Sequence, residues 1–311
     1  MHSRFLLAIL MLLPLSAGAA AQDKLDIVAT IPDLADLVET IGGPHVEVQT
    51  LVKAGYDPHA VLPKASLLLK LSRADGLILM GLDYEHAFLP ALLEKTRNQA
   101  LRPGGKGYMN VGERIVPMEV PEVLNRRQGA DLHPRGNPHY NLDPENGRIM
   151  ARAALDLLVS LAPERQGDFE ARWQAWDTEA KRRIAQWDAW MEPLRGKSLV
   201  TYHRSWSYFF ERYGLSVAAE IEPKPGLAPS AKHLLTVKKK MREQQVQVLL
   251  MEPWYNEQRV RSVVDDGMQV LKLATTSGIK EDQKAYLDWF EHLVLELRAA
   301  HGLPAPERVD G

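Results

Sequence analysis

The stretch from Pro163 to Leu194 reads as one long helix, and it divides the rest of the chain into two halves. Apolar residues recur in steps of four and three at Phe169, Trp173, Trp176, Ala180, Trp187, Trp190 and Leu194, with only Arg183 out of pattern. At about 1.5 Å per residue, some 28 helical residues span roughly 40 Å, the length of a whole lobe. The seam is short for a coiled coil and rich in tryptophan rather than leucine and isoleucine, so it suits docking within the molecule. The expectation is a rod joining two lobes.

On either side of the rod, strand and helix patterns alternate. The first half offers strands at Leu25–Ile31, Val46–Val52, Gly76–Gly81 and Tyr108–Val111, with helices from Asp33 to Gly43, Lys64 to Arg73 and Glu85 to Arg97. The second half offers strands at Ser198–Tyr202, Ser216–Ile221, Val246–Glu252 and Met268–Leu273. Its helices are expected over Ser205–Tyr213, Ser230–Gln244, Glu257–Asp266 and Glu281–Ala300. Such alternation argues for α/β lobes with parallel sheets. Before the rod, Asp143 as N-cap and Pro144 at the first helical position open a helix to about Leu161. The stretch from Ile115 to Pro138 is irregular, with four prolines and an Arg-Arg pair. The expected division is a signal peptide at 1–21, an N-terminal lobe at 22–162, the linking helix at 163–194 and a C-terminal lobe at 195–311.

Residues 1–21 carry a weakly basic start, an apolar run from Phe5 to Leu15 and a small-residue stretch ending Ala19-Ala20-Ala21. That is the pattern of a secretory signal peptide. The run is shorter than the roughly 20 residues that cross a bilayer, and no later stretch is long enough. The chain contains no cysteine, which rules out a disulfide framework and a cysteine-linked lipid. The expected location is therefore the periplasm, free of the membrane and not as a lipoprotein. A formal net charge of −2 with scattered charges gives no footing for nucleic acid.

Three histidines stand where a βα protein builds its ligand crevice, just past the carboxyl ends of strands. His59 lies in Asp57-Pro58-His59, His139 in Asn137-Pro138-His139-Tyr140, and His203 closes Thr201-Tyr202-His203. Three neutral imidazoles suit a borderline-soft divalent cation such as zinc. Their spacing fits no short zinc-finger pattern, so the fold must assemble any site. Free histidine has a pKa of about 6.5, so affinity is expected to fall as pH drops through roughly 6 to 5. His133 reads as a solvated loop residue, and His86, at a helix start, is left out of the site. Trp206, Trp254 and Tyr255 follow candidate ligands and serve either as cleft wall or as core. Lys238-Lys239-Lys240 reads as a solvated helix face.

The order DPH, NPHYNLDP, YH at a strand end and LLMEPWY, with a long helix between, resembles the zinc/manganese solute-binding proteins of ABC transporters. The resemblance runs from about Leu25 to Leu297. It implies two lobes, each with a sheet of about four strands and flanking helices, bridged by one rigid helix with metal in the cleft. It implies that His59, His139 and His203 bind the ion, and that a histidine at all three positions marks a zinc binder. Many members place an aspartate after the last strand, where this chain has Leu273-Ala274-Thr275-Thr276. Glu252 is the nearest replacement, with water or a threonine hydroxyl as alternatives. The long acidic and histidine-rich loop of some zinc members is missing.

The function so implied is a periplasmic, monomeric zinc receptor, not an enzyme, that hands Zn2+ to an inner-membrane ABC permease. The alternatives are a manganese (Mn2+) or iron receptor of the same family, a periplasmic zinc chaperone, and a zinc hydrolase, for which no HExxH helix exists.

Overall fold

The structure, a computed structural model, describes residues 24–122 and 133–307. The expected signal peptide and the Arg126-Arg127 pair lie outside the described residues.

The first half holds strands β1 (Leu25–Ala29), β2 (Val46–Thr50), β3 (Gly76–Leu79) and β4 (Tyr108–Asn110), all parallel, in the order β2-β1-β3-β4. The second half repeats the plan with β5 (Ser198–Thr201), β6 (Ser216–Glu220), β7 (Val248–Met251) and β8 (Gln269–Lys272), in the order β6-β5-β7-β8. The inner strands β3 and β7 are buried along their whole length, as their unbroken apolar runs require, because helices cover both faces. The edge strands β2 and β8 alternate or expose polar residues.

Helices α1 (Pro32–Gly42), α2 (Ala65–Arg73), α3 (Leu89–Lys95) and α4 (Pro144–Leu161) belong to the first half. Asp143 caps α4 as expected, its Oδ1 accepting from the Glu145 N–H at 3.0 Å. The rod α5 (Gln166–Met191) is lengthened at both ends by 3-10 turns, Pro163–Arg165 and Glu192–Leu194. Its buried face is Phe169, Trp176, Ala180, Ile184, Trp187, Trp190 and Met191. Ile184 fills the step that Arg183 leaves open, while Arg183 pairs with Asp288 and Glu291 at 2.7 and 3.0 Å. The rod packs on α1, α4 and the last helix α8 (Tyr286–Ala300), so its seam docks within the molecule. Helices α6 (Ser207–Tyr213) and α7 (Ala231–Glu243) complete the second half.

Two expected helices differ. Over Glu257–Asp266 only a 3-10 turn, Glu257–Arg259, forms. Asn256 caps it through the Gln258 N–H at 2.9 Å, and the β-branched Val260 and Val263 are buried in successive turns instead of along a helix face. The helix expected from Glu85 starts only at Leu89: residues 82–88 form turns, Gly81, Leu82 and Asp83 all take positive φ, and Phe88, at φ −137°, is not helical. The buried Glu85 carboxylate closes that turn by accepting from the Met80 and Gly81 N–H groups and the Thr30 hydroxyl at 2.8, 3.1 and 2.6 Å. Gly81 is required there: at φ +73° a Cβ would sit 2.0 Å from Asn110 Oδ1.

One apolar cluster runs from β1 and β3 through α4, α5 and α6 to α8, joining the halves. A second, built on Val200, Tyr202, Leu249 and Met251, lies on the other face of the second sheet. Among the described residues no helix is long and apolar enough to cross a membrane.

Candidate metal centre

The carboxyl ends of the two sheets face one cleft, and most strands deliver a residue to it. His59 follows β2, His86 follows β3 and His139 lies beyond β4; His203, Glu222 and Glu252 follow β5, β6 and β7. One donor atom from each of His59, His139 and His203 lies within 4.8 Å of the others. Their ring centroids stand 5.5 Å (59 to 139), 5.8 Å (59 to 203) and 5.8 Å (139 to 203) apart. Imidazoles bound tetrahedrally to one zinc ion would have centroids roughly 5 Å apart.

Local chemistry aims each ring. Asp57 caps the 3-10 turn Pro58–Ala60 and accepts the His59 N–H at 2.9 Å. Asn137 accepts the His139 N–H at 3.0 Å and donates across the cleft to the Arg204 carbonyl at 3.0 Å. Tyr140 donates to the Met80 carbonyl at 2.7 Å, and Asn141 donates to the Thr275 carbonyl at 2.7 Å. The NPHYNL loop is thus tied to both halves, which is why these residue types flank His139. Past β5, His203 Nδ1 lies 2.7 Å from Glu222, a carboxylate that also accepts the Gly226 N–H at 3.0 Å. A carboxylate on Nδ1 fixes the tautomer, raises the basicity of the ring and leaves Nε2 as the ligand atom.

Burial favours the neutral form of His59 and His139, the form that binds metal. It pushes His59 well below 6.5, and the neighbouring rings of His139, His203, His133 and His86 push it further. His139 is lowered in the same way by burial, then by His203 and His133. Both ring nitrogens of His59 and of His139 are buried without a hydrogen-bond partner among the described residues. A buried polar atom without a partner costs about 1–3 kcal/mol, a penalty that coordination would remove.

One histidine occupies a place other than that expected. His133 is no solvated loop residue: it is 9% exposed, its ring centroid lies 5.0 Å from that of His59, and burial lowers its pKa to about 3. His86 stacks on His59 with centroids 5.7 Å apart. Glu252 is fully buried, but its carboxylate is outside the group of donors within 4.8 Å. Ser205 donates to one oxygen at 2.8 Å while the other has no partner among the described residues, and burial raises the group to about 7 against the pull of His203. Trp206 belongs to the core, packing edge-on against Phe209, and Tyr255 stacks on Tyr202 at 3.9 Å. Lys238 and Lys239 pair with Asp265 and Glu243 on the surface.

Glu222 is the contributor that sequence reasoning missed. Its signal was positional: it directly follows the strand pattern Ser216–Ile221, at a strand end of the second half. The adjoining cavity measures about 50 Å³ and is lined by His133, His139, His203, Glu119 and Arg204. That is room for an ion and a little water.

The family described as zinc-uptake complex component A, periplasmic (ZnuA) matches residues 27–300. The manganese ABC transporter substrate-binding lipoprotein PsaA of Streptococcus pneumoniae is 26% identical over 86% of each chain. The iron ABC transporter substrate-binding lipoprotein MtsA of Streptococcus pyogenes is 28% identical over 64% of this chain and 62% of its own. Among solved structures, a zinc-bound ZnuA deletion mutant aligns with a TM-score of 0.73 at 25% identity, over 91% of this chain and all of that one. A manganese-bound periplasmic metal-binding protein of Candidatus Liberibacter asiaticus shares the fold at a TM-score of 0.72. A match over nearly the whole described fold decides the matter: the chain belongs to the ZnuA family and is a periplasmic substrate-binding protein of a metal ABC transporter.

Proposed function

We propose that the ion captured is zinc, that His59, His139 and His203 hold it, and that an inner-membrane permease receives it from the protein acting as a monomer in the periplasm. One observation carries the reading: three imidazoles, two of them buried, converge so that one donor atom of each lies within 4.8 Å of the others. Nitrogen donors discriminate against calcium and magnesium, which prefer oxygen, and intrinsic affinity for such a set rises from manganese through iron to zinc. The unpartnered oxygen of Glu252 supplies the fourth donor by closing on the ion as it binds, while Ser205 retains the other oxygen.

The test is zinc/manganese competition on the chelator-stripped protein and its variants. The expected result is one zinc per chain, preferred over manganese. His59→Ala, His139→Ala and His203→Ala should each weaken binding by more than about 100-fold, and Glu252→Ala by about 10- to 100-fold. Manganese preference would overturn the zinc assignment, and a Glu252→Ala affinity within about twofold of wild type would give the fourth position to water.

A further inference from the structure

Asn137 has every one of its polar atoms engaged, and its partners lie in both halves. Its N–H donates to the Met118 carbonyl at 2.8 Å, its carbonyl accepts the Tyr208 hydroxyl at 2.8 Å, and its Oδ1 accepts the His139 N–H at 3.0 Å. Its Nδ2 donates to the Arg204 carbonyl and to a Glu119 oxygen, each at 3.0 Å, with the Ser207 hydroxyl oxygen at 3.3 Å. Arg204 directly follows His203. One asparagine side chain therefore links the backbone at His139 to the backbone beside His203, and an ion bound to both rings depends on their spacing, 5.8 Å between centroids.

Glu119 orients that side chain. A carboxylate only accepts, so it holds the amide NH2 of Asn137, and not Oδ1, on its side. Its other oxygen accepts the Ser207 hydroxyl at 2.9 Å, at the first residue of α6. Glu119 does this from a left-handed backbone, φ 55°, which costs free energy in a non-glycine residue and persists where surrounding bonds enforce it. The Met118 N–H, donating to the Tyr208 hydroxyl at 2.9 Å, is one such bond. Gly136, at φ 106°, allows the close approach of the two segments, since a Cβ there would lie 2.7 Å from the Met118 carbonyl oxygen. Glu119 itself is exposed, where ion pairs and hydrogen bonds add little to stability. It lines the same cavity as His139 and His203, yet it is outside the group of donor atoms that meet within 4.8 Å.

We propose that Glu119 is a positioning residue of the metal centre: through Asn137 and Ser207 it fixes the separation of His139 and His203, and so sets how long the ion stays bound. This presupposes that both rings hold the ion, as proposed above. The role has a kinetic signature. An arriving ion engages the rings one after another, whereas a bound ion leaves when they part, so loosening the brace raises the dissociation rate and leaves association alone. A carboxylate acting by charge, drawing the cation inward, would change association instead.

Stopped-flow mixing of zinc with the metal-stripped full chain, and of the zinc-loaded chain with a fluorescent chelator, reads both rates. Glu119→Ala should release zinc about tenfold faster at an association rate within about twofold of wild type. The melting temperature of its metal-free form should move by less than about 2 °C, as for an exposed side chain. Glu119→Gln should keep both rates within about threefold of wild type, because a carboxamide still accepts from Asn137 and can donate to the Ser207 oxygen. Ser207→Ala, at a residue that does not line the cavity, should release zinc about threefold faster. Wild-type dissociation in Glu119→Ala would overturn the proposal, as it would in Ser207→Ala if Glu119→Ala fails to fold. So would equal losses in Glu119→Ala and Glu119→Gln, which would assign the effect to charge or to direct ligation. Failure of the underlying reading is read separately, as wild-type zinc affinity in His139→Ala and His203→Ala.

Discussion

At the scale of single residues, the centre is a set of imidazoles, two of which burial holds well below their ordinary pKa. This moves the expected acid dependence. Free imidazoles would begin to compete with metal near pH 6.5, but His59 and His139 are held well below that value, so protons compete only in more acidic solution. Zinc affinity measured by chelator competition should therefore stay within about threefold between pH 7.5 and 6, with its fall displaced below pH 6. A fall beginning at pH 6.5 would mean that the rings are not buried together. Glu222 gives a second expectation: Glu222→Gln should weaken zinc binding about 10- to 100-fold while the fold survives, measured in the same competition. His59, His139 and His203 were legible because each ends or follows a strand pattern beside a proline or an aromatic. Glu222 was not, because its role depends on a contact made 19 positions away from His203. His133 was misjudged for the same reason: local sequence shows a loop, and only tertiary packing lays it on His59.

At the scale of elements, two connections set the site, the NPHYNL loop and the turn after β3. The turn depends on Glu85, which satisfies two backbone N–H groups and a hydroxyl inside the protein. Glu85→Ala leaves those donors buried and unpaired, and should cost about 2–4 kcal/mol in denaturant unfolding. The same carboxyl shapes the pH dependence of the metal-free protein. Burial raises Glu85 to about 7 and, first among its causes, raises Asp33 to about 7. Between about pH 4 and 7 the folded state thus binds protons that the unfolded chain has released, so this stabilisation is present at low pH and is lost as pH rises through 7. The buried histidines act in the opposite sense, since the unfolded chain takes up protons below about 6.5 that His133 refuses down to about 3. The melting temperature of the metal-free protein should therefore peak near about pH 6 and decline toward pH 8, less steeply in Glu85→Gln. The strands and the longer helices could be read from periodicity. The Glu257–Asp266 stretch could not, because buried valines spaced by three fit a string of turns as well as a helix, and burial decides between them.

At the scale of the molecule, the rod and the shared core limit how far the halves can move. Trp187 is buried, stacks on Phe290 with centroids 5.0 Å apart, and donates to Glu291, tying α5 to α8. Further bonds cross the cleft floor: Asn141 to the Thr275 carbonyl, the Ser277 N–H to Asp33, and the Tyr286 N–H to Asp36. Zinc loading should accordingly leave the radius of gyration in solution scattering unchanged to within about 1 Å, with only modest tilting and loop adjustment, in place of the hinge closure open to lobes on flexible linkers. The rod was legible from its seam, but the continuity of the core across it was not, since that follows from which faces meet. The most direct measurement for the whole account is a crystal structure of the zinc-loaded protein with the metal located by anomalous scattering. One ion bonded to nitrogens of His59, His139 and His203 at about 2.0–2.1 Å is the expected result. A zinc ion seated elsewhere, or held by fewer than two of those rings, would contradict it.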